Sequence, residues 1–214
     1  MGTILEVRGL CRSFGSHRTL RNLTFSINEG EVFGLVGPSG SGKTVTLRIL
    51  SGSLEGDSGT VSIGGISLAA RSRKAHELFG SVAENHPLPG WLTPFEYLRL
   101  RVRLKDVRDG RRELSRVLQT YGLLPYGKRY RIGQLSSGHR RLVALADADL
   151  AMPPLLLLDG LEPWQVRVAL EGRPNSPAVL LTGRSAPELE AICQKFIFLD
   201  RGSATVCGEG GRAA

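Results

Sequence analysis

Eight residues, Gly37 to Thr44 (GPSGSGKT), constrain the fold more than any other stretch of the chain. They satisfy G-x-x-x-x-G-K-[ST] in full, a pattern that joins a buried strand to a helix around a phosphate group. Both flanks are present. EVFGLVG, residues 31–37, is a short apolar run ending in glycine, as expected of a strand covered on both faces. TVTLRILSG, directly after Lys43, reads as a helix ending near Gly52. In such a loop, built from Gly37, Pro38, Ser39, Gly40, Ser41 and Gly42, the glycines let the backbone N–H groups (Pro38 has none) converge on phosphate oxygens, and the helix N-terminus adds partial positive charge. Lys43 is placed to bridge the β- and γ-phosphates, and Thr44 to offer a hydroxyl to Mg²⁺. The guanine-reading tetrapeptide Asn-Lys-x-Asp is absent, so ATP is the expected nucleotide.

The rest of the chain fits an α/β architecture. TILEVR (3–8) and LTFSI (23–27) alternate like half-buried strands, and SGTVSIGG adds another strand and a turn. PLLLLD and AVLLTG are apolar runs of strand length with a partly helical segment between them. APELEAICQKF reads as a helix, and FIFLDRG as a final strand and turn. Alternating strands and helices imply a largely parallel sheet. Residues 85–131 change character: Pro87, Pro89, Gly90 and Pro94 interrupt the chain, and a basic, leucine-rich region follows. RLRVRLK within it alternates with period two. Thr93, Pro94 and Glu96, however, supply a cap, a first helical residue and a capping-box acid, so a helix is expected there.

Four stretches carry a family resemblance. LRNLTFSINEGEVFGLVGPSGSGKT, TLRILSGSLEGDSGTVSIGG, QLSSGHRRLVALADADL and LLTGRSAPELEAICQKFIFLDRG occur in that order. Together the sequence resembles the ATP-binding subunit of ABC transporters. The resemblance implies a P-loop NTPase (RecA-like) core with an N-terminal antiparallel β subdomain and a helical signature subdomain. The core would take residues 1–84 and 132–214, with 85–131 inserted and the signature motif at 135–139. It further implies a dimer with ATP sandwiched between one subunit's phosphate loop and the other's signature. Ser136, Ser137 and Gly138 stand where Ser-Gly-Gly is usual, so Ser136 would bond the partner's γ-phosphate over a helix N-terminus. Phe14 takes the place of the aromatic ring that stacks on adenine. Glu84 replaces the glutamine that contacts Mg²⁺ and the attacking water, and a carboxylate oxygen is itself a metal ligand.

Two departures concern catalysis. The family runs Asp-Glu-Pro, two variable residues, then Gly-Leu-Asp-Pro; here LLLLD is followed at once by GLEPWQ. One alignment deletes the glutamate, leaving Asp159 on Mg²⁺ and making Glu162 the acid of the dimer-contact loop. The other makes Glu162 a displaced catalytic base. Two extra residues of extended chain move a side chain by roughly 6–7 Å, and a base must stay within hydrogen-bond reach of its water. The second departure is Arg184, which falls where the family carries a histidine that senses the γ-phosphate. A fixed cation holds phosphate but lacks histidine's change of charge state. The four histidines, at 17, 76, 86 and 139, lack metal spacing.

Composition sets the remaining bounds. A net charge of +8 and a pI near 9.9 fit nucleic acid, an anionic membrane or a bias towards arginine, and decide nothing alone. No apolar run of about 18 residues is present, so no transmembrane helix is expected, and MGTILEVRGL does not read as a signal peptide. Cys11, Cys193 and Cys207 are far apart and are expected to be reduced thiols. The resulting expectation is a cytoplasmic ATP-binding subunit on the inner face of the membrane. It would be docked on a separate ABC permease subunit and paired as a homo- or heterodimer, with ATP binding kept and hydrolysis at its own site impaired. A non-hydrolysing partner in a heterodimer and a soluble protein acting on nucleic acid are the alternatives; no nucleic-acid partner is expected.

Overall fold

A computed structural model describes residues 2–70, 73–173 and 175–207; the side chains of Ala70, Val206 and Cys207 lie outside that description. Two sheets organise the chain. The first is antiparallel, in the order β2-β1-β4-β5, from β1 (Thr3–Phe14), β2 (His17–Asn28), β4 (Ser58–Ile63) and β5 (Ile66–Ser67). The stretch 23–27 alternates buried and exposed as its sequence suggests, and the strand around it is longer than the pattern alone marked.

The second sheet has the order β10-β9-β3-β8-β7-β6. Its strands are β3 (Val32–Val36), β6 (Phe79–Val82), β7 (Leu155–Leu158), β8 (Ala178–Gly183), β9 (Lys195–Asp200) and β10 (Ser203–Cys207). All neighbours pair parallel except β9 and β10. Every residue of β3 and β7 is buried, because both faces of the sheet are covered. Alternation still sorts the side chains. Leu156, Leu158, Val179 and Leu181 join the core beneath the helical region, while Leu155, Leu157 and Leu180 join the core shared with the antiparallel sheet.

Among the helices, α1 (Lys43–Leu50) follows β3 directly and α2 (Arg73–Glu77) is a short connector. Helix α3 (Pro94–Leu104) settles the ambiguity of RLRVRLK. The Thr93 side chain accepts from Glu96 N, and the Glu96 carboxylate accepts from Thr93 N at 2.9 Å, so the capping box outweighs the period-two pattern. Helix α4 (Gly110–Thr120) packs beside α3, and both touch α5 (Ser137–Ala148). Two buried aspartates make those contacts. Asp147 accepts from Tyr97 Oη and Arg101 Nε, each at 2.9 Å, and lies 3.1 Å from Lys105 Nζ. Burial alone would raise its pKa, but Lys105 and Arg101 hold the carboxyl below the usual carboxylate range. Asp149, fully buried, binds Arg116 of α4 and Arg173, which follows α6 (Pro163–Glu171).

One expected element is much shorter. The helix foreseen over APELEAICQKF is a single turn, α7 (Ala186–Leu189). The Cys193 and Ile192 N–H groups both return to the Leu189 carbonyl, and Gln194 N then donates to Val32 O. Chain beyond that point is needed for β9, which pairs with β3, and sheet pairing overrides helix propensity there. Strands β6 and β10 and helix α2 had no clear signal in the sequence; β6 is only FGSV.

Candidate functional site

The parallel register brings four strand ends to one edge. Val36 of β3 lies opposite Gly183 of β8, Leu158 opposite Leu181, and Val82 of β6 opposite Leu158. The residues that follow these ends therefore gather beyond the carboxyl edge, where open α/β sheets place their ligands. They line an open cleft of about 790 Å³ whose walls include Lys43, Thr44, Glu84, Asp159, Glu162 and Arg184.

The phosphate loop is tightly determined. Gly40 and Gly42 have φ of 79° and 110°, which favour glycine. A Cβ on Gly37 would lie 2.1 Å from the Leu199 carbonyl oxygen, and one on Gly42 would lie 2.9 Å from that of Thr19. The loop is thus wedged between β9 and β2. Lys43 Nζ donates to the carbonyls of Gly37 at 2.7 Å and Pro38 at 2.8 Å, and to Ser41 Oγ at 3.4 Å. Partial burial lowers the Lys43 pKa, while the Asp159 and Glu84 charges oppose that shift. Those couplings place an ammonium and two carboxylates around one volume. Pro38, Ser39 and Gly40 are exposed, whereas Ser41 is buried.

Asp159 is buried at the end of β7. Its Oδ1 accepts from Thr182 Oγ1 at 2.6 Å, and Thr182 Oγ1 in turn accepts from Gly160 N at 3.2 Å. Gly160 has φ of 66°, and a Cβ there would meet Glu84 Cγ at 3.1 Å. Leu161 is buried in the core and pins the loop from below. Glu162 is the N-cap residue of α6 and also faces the cleft, so the chain turns back after Gly160 instead of running on extended. Its N–H donates to Gln165 Oε1 at 3.0 Å, and Gln165 Nε2 donates to the Gly138 carbonyl at 3.3 Å. Arg184 N donates to Glu188 Oε2 at 3.1 Å at the other side of the cleft.

The signature residues lie elsewhere. Ser136 caps α5, and Ser136 and Ser137 are exposed and do not line the cleft. His139 Nδ1 sits 2.8 Å from Ser136 Oγ, and its ring packs against Tyr126 at 4.5 Å. Phe14 is also outside the cleft wall: it is 46% exposed at the β1–β2 hairpin, with the Arg12 guanidinium 4.8 Å from its ring centre. Sequence reasoning passed over Thr182, Gln165 and Arg141, the last of which reaches the cleft from α5. Thr182 had a signal, a polar residue at the end of an apolar strand. Gln165 had one too, at capping spacing from Glu162.

A divalent cation suits the donor set. Asp159 and Thr44 offer hard oxygen ligands, and Glu84 adds a second carboxylate at the same edge. Among the described residues no group of three or more His, Cys, Asp or Glu could hold a metal ion.

A family model described as ABC transporter matches residues 20–164. The chain belongs to the ABC transporter family. An ABC transporter ATP-binding protein of Bacillus subtilis (strain 168), YdbJ, is 32% identical over 93% of this chain and 67% of its own length. A solved ATP-binding subunit of an ABC transporter superposes with a TM-score of 0.82 at 26% identity, covering 95% of this chain and 90% of its own. The ATP-binding cassette MJ0796, solved as a post-hydrolysis dimer with ADP and Pi, has the same fold: TM-score 0.82 at 21% identity, covering 98% and 100%. The matched segment contains the phosphate loop, Glu84, the signature residues and Asp159. This ABC chain is an ATP-binding subunit. Among its described residues no helix is long and apolar enough to cross a membrane.

Proposed function

We propose that this ABC subunit binds Mg·ATP in its own cleft, hydrolyses it slowly, and transmits nucleotide occupancy to a separate permease subunit on the inner face of the membrane. The observation behind this reading is the contrast within the cleft. Lys43, Thr44 and Asp159 converge there, yet the residue after Asp159 is a glycine. Lys43 and the loop N–H groups would hold the β- and γ-phosphates, and Arg184 would add fixed positive charge. Thr44 and Asp159 would hold Mg²⁺, which when bound neutralises charge developing on the phosphates. The loss of a general base typically costs about 10²–10⁴ in rate.

The exposed Ser136 and Ser137 favour a dimer in which each signature turn serves the other subunit's nucleotide. In a heterodimer this chain would lend Ser136 to an intact partner. Residues 85–131 form the region that would receive the permease, with Trp91 72% exposed beside the Pro-rich turn. Paired measurements on the purified chain test the reading: Mg·ATP affinity and steady-state ATPase rate, with Lys43→Ala as the blank. Expected are binding that Lys43→Ala weakens at least tenfold, and turnover far below that of relatives with a glutamate after the strand-end aspartate. Lys43-dependent turnover at the relatives' ordinary rate would sink the slow-hydrolysis reading, and absence of Mg·ATP binding would sink the whole.

A further inference from the structure

The turn that opens α5 carries a side-chain contact that capping alone does not explain. Ser136 is the N-cap, and its Oγ accepts from the backbone N–H of His139 at 3.3 Å. That bond by itself completes the cap. The imidazole of the same histidine nevertheless folds back and places Nδ1 2.8 Å from Ser136 Oγ. Tyr126 holds the ring there from outside the helix, with ring centres 4.5 Å apart and planes inclined by 55°. Tyr126 is itself packed against the core of the helical region, and its N–H donates to the carbonyl of the fully buried Leu123. On the side of α6, Gln165 Nε2 donates to the Gly138 carbonyl. The imidazole and the turn backbone are therefore fixed from two separate elements.

The contact between Ser136 and His139 has two forms, which give the serine opposite characters. With Nδ1 bare, the ring takes the hydroxyl hydrogen, and Ser136 faces outward as an acceptor. With a hydrogen on Nδ1, Oγ accepts twice, from Nδ1 and from His139 N. Both of its lone pairs are then occupied, and the hydroxyl hydrogen is left to point away from the helix. Ser136 is exposed, and its Oγ has no other partner among the described residues. The anionic oxygens of a phosphate group are acceptors. They match the second form and oppose the first.

We infer that His139 is a positioning residue: its Nδ1–H donates to Ser136 Oγ and so turns the serine hydroxyl outward, as a donor to the γ-phosphate held by a second copy of this chain. The inference rests on the dimer proposed above, in which Ser136 serves the other subunit's nucleotide. His139 acts through the serine and stands outside the wall of its own chain's cleft. From Nδ1–H to Oγ–H to phosphate each group donates to the next, so each bond polarises the one after it.

The test is dimerisation of the full chain at saturating Mg·ATP, read by sedimentation velocity for the parent protein, His139→Leu and His139→Asn. Leucine keeps the backbone cap and an apolar contact with Tyr126 but has no donor; asparagine puts an amide N–H close to where Nδ1 stands. A dimer contains the turn twice, so we expect His139→Leu to raise the dimer dissociation constant at least about tenfold and His139→Asn to stay within about threefold of the parent. Both variants should melt with the parent. In the ATP-bound dimer, the ¹⁵N resonances of the His139 ring, assigned by their loss in His139→Asn, should show a hydrogen on Nδ1. Equal dimerisation of parent and His139→Leu overturns the inference and leaves the dimer intact. So does His139→Asn as weak as His139→Leu, or an Nδ1 without hydrogen in the dimer. Should His139→Leu melt early, the ring-nitrogen signature decides alone. A parent protein that binds Mg·ATP and stays monomeric removes the two-copy dimer and the inference with it.

Discussion

Two strand ends in one sheet, β3 and β7, meet the same cleft with opposite degrees of completeness. After β3 the phosphate loop is in place and wedged at both ends: Gly37 against the Leu199 carbonyl, Gly42 against Leu20 and Thr19. After β7 Thr182 holds both Asp159 and the Gly160 N–H, and the residue after Asp159 is a glycine with an exposed glutamate beside it. The first end uses backbone N–H groups, which need a set path and so tolerate almost no change. The second uses side chains, and a side chain can be supplied by a neighbouring strand. A sheet in register makes such relocation geometrically simple, because residues at equal depth on adjacent strands share one edge.

Substitutions at the two ends should therefore cost unequal amounts. Gly37→Ala should do the most harm. Its methyl would sit 2.1 Å from a backbone oxygen that cannot swing away. The expected loss is at least about 3 kcal/mol, the upper part of the overpacking range, together with loss of Mg·ATP binding; a melting curve and a nucleotide titration read both. Unaltered melting and binding would remove the claim that the β3 end is rigid. Thr182→Val should come second. Valine keeps the shape but leaves the buried Asp159 without its hydroxyl donor and Gly160 N without its acceptor. A loss of about 1–3 kcal/mol is expected by chemical denaturation, with weaker Mg·ATP binding. Gly160→Ala should be mildest, at about 1 kcal/mol for a left-handed φ, since Glu84 is a flexible neighbour that can yield. If Gly160→Ala proves as damaging as Gly37→Ala, the distinction between the two ends fails.

Much of this was legible in the residues. The phosphate loop announced itself because its chemistry is local: strand, turn and helix lie within one stretch. The cap of α3 was equally readable, Thr93, Pro94 and Glu96 outvoting the alternation of RLRVRLK. What lay hidden depends on contacts between distant segments. Strand β6 is four residues long, and a glycine inside it abuts the Ala148 carbonyl, so no local pattern marks it. Without β6 the register that sets Glu84 beside Gly160 is invisible. APELEAICQKF misled for a related reason, its later residues being claimed by β9. Gln165 and Thr182 act through partners 27 and 23 residues away, and only the folded chain connects them.

Asp149 constrains how such a sequence can change over time. One fully buried carboxylate holds Arg116 and Arg173, which belong to different parts of the chain. Replace the aspartate alone, and the buried Arg173 guanidinium loses its carboxylate while Arg116 keeps only Glu113; removing one partner of a buried pair typically costs about 3–5 kcal/mol. Replace either arginine alone, and the acid is undercompensated. Lineages that keep this trio are locked into it until at least two positions move together. The family's variation should then run freely over the exposed faces of α3 and α4 and pass through this point only in paired steps.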